Sequence, residues 1–200
     1  YGVKPTPELE EKIRRTAHVT ASAPFLHGQA LIRAGENVVG ALVKGIDPVR
    51  ERTVNRIGEY MTEGSLDLSG YSVVIGAELA GKLGIKPGGT VTVFTPGSLD
   101  GIDCAVTGIF RSGMYEYDTS LIYLGIPAAQ ELLGTPELIS GFSVRADDAL
   151  RVEAIKRELR GKLGIQYLVR SWLDMNRNLI EALKLEKTVM FIILALIVMV

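Results

Sequence analysis

Cysteine is nearly absent from this chain, and histidine almost as scarce. A single cysteine, Cys104, among 200 residues excludes an internal disulfide and any cysteine-rich zinc site. His18 and His27 have no carboxylate at ligand spacing on a shared helical face, and no HExxH occurs. An excess of one charge is missing too. With 22 basic and 23 acidic residues the net charge is −1, so no basic field points to nucleic acid. No GxSxG elbow exists, and no GxGxxG follows a strand-like run. Gly84 and Gly89 keep the glycine frame of a phosphate loop, but Thr90-Val91 stands where Lys-Ser/Thr is required. Nothing there reaches a β- or γ-phosphate. Neither an enzyme nor a bound cofactor is expected, and any ATPase belongs on a separate chain.

What is present is ordinary globular material, 47% hydrophobic and 22% charged, enough for one sizeable domain or two small ones. The one long apolar run, Val189–Val200, follows the charged pair Glu186-Lys187. As a helix it measures about 18 Å, whereas a bilayer core of about 30 Å needs roughly 20 residues. It reads as the first part of a transmembrane helix, and Tyr1 in place of an initiator Met suggests trimming at the other end as well.

Between these ends the pattern is mixed. Thr6-Pro7 opens a helix, with Glu8, Glu10 and Glu11 in its first turn and Arg14 and Arg15 in its last. Val19 to Ile46 reads as β-structure cut into short strands near His27-Gly28 and Gly35-Glu36-Asn37. Asp47-Pro48 starts a helix carrying Val49, Thr53, Ile57 and Tyr60 at helical spacing. Strand, helix and turn follow at Ser72–Ile75, Ala77–Leu83 and Lys86–Gly89. Thr90–Thr95 and Asp103–Phe110 form a hairpin whose tip includes Pro96, Gly97, Ser98, Leu99 and Asp100. In the second strand Cys104, Val106 and Gly108 share a face, so the thiol is expected to be buried and inert.

A strand Ser120–Leu124, a helix from Pro127 to Leu133 and a strand Ile139–Arg145 come next. The following helix has the stripe Val152, Ile155, Leu159 and Leu163, with Glu153/Arg157 as an i,i+4 pair. A strand Gln166–Val169 precedes Ser171, which caps one continuous helix running to Val200. Trp172, Met175, Leu179 and Leu183 give its first turns an apolar stripe expected to lie on the folded domain. Met175, Leu179 and Leu183 are also the candidates for an apolar substrate-facing surface. Tyr115-Glu116-Tyr117-Asp118 sets two carboxylates two apart, but nothing apolar encloses them, and a strand-linking loop is expected. The fold class is α/β (α+β): a subdomain of residues 1–65 and 138–180 with a mainly β insertion, 66–137.

Several ordered stretches carry a resemblance: Ala23-Pro24-Phe25 with Gln29; Lys44-Gly45-Ile46-Asp47-Pro48; Val73 to Ala80; Val106 to Phe110; Gly113-Met114-Tyr115-Glu116-Tyr117-Asp118; Ala129-Gln130; Ala182 to Lys187 with Met190 to Leu194. In this order they resemble the extracytoplasmic domain of lipoprotein-releasing permeases, the LolC/LolE family within the MacB/FtsX-like ABC transporters.

The resemblance implies a porter-like α/β unit with an inserted mainly β unit, on the periplasmic side of the bacterial inner membrane. It implies a second permease subunit, a cytoplasmic ATPase dimer, lipoprotein cargo and a LolA-type periplasmic carrier. Glu186 and Lys187 then mark the membrane threshold where motion is coupled. One departure stands out. Carrier-binding members project a longer hairpin from the inserted unit, whereas here the connection is only Thr95 to Ile102. A shortened hook, a different mode of carrier docking and no carrier at all each fit that length. Export of another substrate, or regulation of a cell-wall hydrolase, remains open beside lipoprotein release.

Overall fold

The structure, a computed structural model, describes residues 2–95 and 100–199, the side chains of Leu150, Leu179 and Ile180 excepted. Two compact units are present. One comprises Tyr1–Arg15 with Val19–Asp147, the other Thr16–His18 with Asp148–Val200.

The first unit opens with α1 (Pro7–Arg14), capped by the Thr6 hydroxyl, which accepts the Leu9 N–H. It then runs into β1 (Val19–Ala34), β2 (Asn37–Ile46), α2 (Pro48–Val54), β3 (Met61–Gly64), β4 (Ser72–Gly76), α3 (Ala77–Leu83), β5 (Thr90–Phe94), β6 (Ile102–Phe110), α4 (Tyr115–Ser120), β7 (Leu121–Gly125), α5 (Ile126–Leu132) and β8 (Gly141–Ala146). The expected break near His27-Gly28 does not occur. Gly28 is extended within a 16-residue strand, and its missing Cβ makes room for Leu133, which packs against it. The reversal comes only at Gly35, whose φ of 59° favours glycine.

All eight strands join one sheet in the order β2-β7-β4-β6-β5-β1-β8, with β3 beside β6. Because β1 also pairs with β2 over ten residues, six of these strands close into a ring, β1-β2-β7-β4-β6-β5. Closure removes the sheet edges that would otherwise be open to other chains. The interior follows from the period-2 alternation. Ile32, Val43, Val73, Ile75, Val91, Val93, Cys104, Val106, Ile122 and Leu124 point inward and are fully buried, and α3 and α5 add Leu79 and Ala129. Burial pushes the Cys104 thiol up to about 11, with Asp103 adding to the effect, so the sulfur is protonated and inert at neutral pH.

The ring is assembled from two similar halves. Apart from the 3-10 turn and β3, which only the first half has, β1, β2, α2, β4 and α3 are followed by β5, β6, α4, β7 and α5 in the same hairpin–helix–strand–helix order. Each half contains a strand ending in glycine, then a helix closed by a left-handed glycine: Gly76 and Gly84, then Gly125 and Gly134. The halves interleave. β4 runs parallel to β6 of the other half, β7 runs parallel to β2, and β4 and β7 pair antiparallel at the centre.

A second layer forms outside the ring, where Ile46, Val74, Phe110, Leu121 and Tyr123 meet Ile57, Leu66 and Leu68. Burying each of those last three contributes about 1.5–3 kcal/mol, which opposes the cost of ordering residues 57–68. The helix expected to carry both Val49 and Tyr60 is two pieces, α2 and a 3-10 turn at Ile57–Tyr60. Asn55 leaves the helical region between them, and its side chain accepts the Ile57 N–H.

The expected partition into 1–65 with 138–180 against 66–137 is not the line along which the chain divides. β4 to β7 are hydrogen-bonded into the same ring as β1 and β2, so they form no separate insertion, and the division falls at Asp147/Asp148.

In the second unit α6 (Val152–Leu163) buries Ile155 and Leu159, as its stripe indicates. Residues 166–169 are not a strand. The continuous helix from Ser171 is also corrected. α7 (Trp172–Met175) stops at Asn176, whose φ of −109° leaves the helical region, and α8 (Arg177–Met199) begins afresh. Among the described residues no helix is long and apolar enough to cross a membrane.

Gly76 tests the interleaving. A Cβ there would press into the backbone carbonyl of Asp118, in the other half. Gly76→Ala should therefore destabilise the first unit by about 1–3 kcal/mol, measured by urea unfolding, and an unchanged midpoint would contradict this packing.

Candidate functional site

Lys44 to Pro48 forms a structural joint. The Lys44 ammonium donates to Glu51 Oε1 at 2.6 Å, and its side chain is 17% exposed while that of Glu51 is fully buried. The same carboxylate oxygen accepts from the Asn55 amide at 2.5 Å, and Oε2 accepts no hydrogen bond among the described residues. Lys44 Nζ also sits 6.0 Å from the Phe25 ring centre and 5.9 Å from that of Tyr123. Burial first, and Glu51 second, push the Tyr123 phenol well above its ordinary range. Gly45 lets Ala129 approach the strand, and Asp47 caps α2 by accepting the Val49 and Arg50 N–H groups.

The Gly113–Asp118 stretch also acts locally. Asp118, 3% exposed, accepts from the Ser112 N–H and hydroxyl at 2.7 and 2.8 Å and from the Gly113 N–H at 3.2 Å. Gly113 itself sits at φ 80°. The stretch is the short helix α4 rather than a strand-linking loop. Asp118 is thus locked inward, while Glu116, Met114 and Tyr115 face solvent. A carboxylate pair for acid–base work does not form.

A third cluster joins α6 to α7. Lys156 Nζ contacts Asp174 Oδ1 and Oδ2 at 3.0 and 2.8 Å and Glu153 Oε2 at 2.7 Å. Ser171 Oγ donates to Glu153 Oε1 at 2.8 Å and accepts the Asp174 N–H, while Asp174 accepts the Ser171 N–H, completing a capping box. The expected Glu153/Arg157 pair is replaced by Glu153–Lys156, because Lys156 stands between the acids of both helices. Lys156 first, then the Ser171 N–H, hold the Asp174 carboxyl down to about 2. Its stabilising contribution is therefore present above the unfolded value near 4 and lost only as the pH falls through about 2.

The site residues expected from the sequence are spread along the chain, and those whose side chains are described are exposed. Pro96, Gly97, Ser98 and Leu99 lie outside the described residues, as does the Leu179 side chain, and Asp100 is exposed at the foot of β6. Met175 and Leu183 are 72% and 51% exposed, and Trp172 is 49% exposed, so this stripe is not packed on a core. Glu186 and Lys187 are exposed on α8, and from Val189 to Met199 that helix exposes apolar side chains on every face.

Residues 2–162 match the MacB-like periplasmic core domain family. The chain belongs to that family. Among curated relatives, the lipoprotein-releasing system transmembrane protein LolC of Neisseria meningitidis serogroup B is 32% identical, over 90% of this chain and 46% of its own length. LolE of Haemophilus influenzae is 23% identical over 95% of this chain and 48% of its own. The chain thus spans about half the length of the curated relatives it matches. The extracellular domain of the noncanonic ABC-type transporter YknZ from Gram-positive bacteria superposes with a TM-score of 0.59 at 18% identity, covering 82% of this chain and 85% of that one. The periplasmic region of MacB from Actinobacillus actinomycetemcomitans gives 0.59 at 13% identity, covering 87% and 81%. Both share the mixed α/β fold.

The match to the MacB-like family ends inside α6, so the Ser171–Asp174 junction and α8 lie beyond it. Two stretches of the resemblance, at Lys44 and Gly113, are joints of the MacB-like unit rather than chemical sites. Sequence reasoning missed the α6–α7 network, although a Ser-x-x-Asp capping signal was legible at Ser171. The Lys44–Glu51 contact had no periodic signal, because it links a strand to the following helix.

Lys44→Met would leave the Glu51 carboxylate buried without its cation, and should cost about 3–5 kcal/mol. Adding Glu51→Leu should recover most of that loss, measured by urea unfolding. A single variant as stable as the parent would show the pair to be dispensable.

Proposed function

We propose that the chain is the periplasmic domain of an ABC-type permease that extracts lipoproteins from the bacterial inner membrane and passes them to a periplasmic carrier, transmitting ATP-driven motion. The observation that carries this reading is the 32% identity to LolC over 90% of the chain. That similarity extends past the family match into the region of α8. In this reading a cytoplasmic ATPase dimer on separate chains supplies the motion, and a second permease subunit completes the assembly.

The apolar face of α8 supports the reading. A helix that is apolar all round, as this one is from Val189, is suited to a lipid or protein-lined environment, not to water. Glu186 and Lys187 stand at its threshold, where a lysine can reach headgroups while its methylenes stay in apolar surroundings. Backbone hydrogen bonds internal to a helix let displacement at one end reach the other. The domain itself acts mechanically and by surface contact. Met175, Leu179 and Leu183 are the residues proposed to meet cargo. The carrier is proposed to dock at the β5–β6 connection, a short one for a projecting arm.

The test is release of a triacylated lipoprotein from membranes holding the full-length permease, its partner and the ATPase. Glu186→Ala with Lys187→Ala should lower ATP-dependent release without changing the unfolding midpoint of the domain. Unchanged release would remove the threshold from the mechanism. Failure of the parent assembly to release any lipoprotein would reject the function.

A further inference from the structure

α8 carries no buried side chain among those described. Its attachment runs through α7, and α7 has only four residues, none of them buried. A helix that short has no stability of its own. What fixes it is polar: Ser171, 4% exposed, and Asp174 tie it to Glu153 and to Lys156 of α6, whose side chain is 14% exposed. α6 in turn is seated by Ile155 and Leu159.

We propose that the Glu153–Lys156–Ser171–Asp174 network is the attachment point through which α8 pulls on its own unit, with Asn176 as the joint. The proposal rests on the force-transmitting reading above. Lys156 bonds both oxygens of Asp174, so displacing α7 breaks two charge-assisted bonds together, while its bond to Glu153 stays within α6 and holds the ammonium in place. The Ser171 hydroxyl adds a second strand of the tie, from the cap of α7 back to Glu153. Asn176 ends α7 by donating both its N–H and its side-chain amide to the Trp172 carbonyl, at 3.0 and 2.9 Å. Helical geometry therefore stops at one residue, between an anchored turn and a helix whose described side chains are all exposed. The chain can change direction there without disturbing either side.

The experiment uses the full-length permease with its partner subunit and ATPase in lipid vesicles, and compares Lys156→Met, Asp174→Asn and the charge-keeping Lys156→Arg. Lipoprotein released per ATP hydrolysed should fall about fivefold or more in Lys156→Met and Asp174→Asn. ATP hydrolysis should be unaltered, and Lys156→Arg should release as the parent does. In parallel, spin labels at Arg157→Cys and Met175→Cys in a Cys104→Ser background report the α6–α7 distance. That distribution should be narrow with and without ATP, and broad when Lys156→Met is added. Should the parent release no lipoprotein, the function fails, while the labels still decide whether the network holds α7. Unchanged release per ATP in both Lys156→Met and Asp174→Asn, or a distribution that Lys156→Met leaves narrow, overturns the attachment. A Lys156→Arg variant that broadens the distribution as Lys156→Met does also counts against it, because charge pairing would then not be the cause.

Discussion

Strand β1 has to satisfy both of its edges, and the first unit depends on how it does so. One edge runs along β2 for ten residues, while the other is shared between β8 at its beginning and β5 near its end. Buried backbone N–H and C=O groups left without partners are costly. β1 has strand neighbours on both sides only at Phe25 and at Leu31–Arg33, and elsewhere it keeps at most one of its neighbours. The ring closes because β5 supplies the last of them. Once it is closed, the inward side chains have a water-free interior, and the two helices that follow β4 and β7 complete it.

Much of this was legible residue by residue. Pro7 and Pro48 after Thr6 and Asp47 marked helix starts that the structure keeps. The alternation around Cys104 and Val106 located a buried face. Local chemistry of this kind survives because its partners are only a few residues away. The failures share the opposite cause. Gly28 suggested a turn, but its role is to admit Leu133, a residue distant in sequence. The inserted subdomain failed for the same reason, since the pairing of β2 with β7 and of β1 with β5 leaves no trace in either strand alone. The strand–glycine–helix–glycine repeat at 72–84 and 121–134 was the one long-range signal available, and it points directly to the interleaved halves.

Polar and apolar surface have exchanged their usual places between the two units. In the first, the charged groups Glu51 and Asp118 are buried, Glu51 tying α2 to the strand before it and Asp118 tying α4 to Ser112 and Gly113, and both lie within or beside stretches that carry the family resemblance. In the second, the apolar groups of α7 and α8 are exposed and the attachment is ionic. A domain whose interior is held by specific charged joints keeps one geometry. A terminal helix with an apolar exterior is complete only when it meets another apolar surface.

The interleaving also sets a condition on synthesis. When the chain has emerged as far as Gly84, the first half has a complete hairpin and a strand, β4, whose neighbours β6 and β7 do not yet exist. Roughly 40 more residues must appear before β7 is available, a delay of about 2–8 s at ordinary rates of translation. Through that interval the apolar run Val73–Ile75 has no ladder to join, and long-range pairings of this kind are the slow ones to form. Nascent chains of this protein therefore pass through a stage in which half of the future core is sticky and waiting.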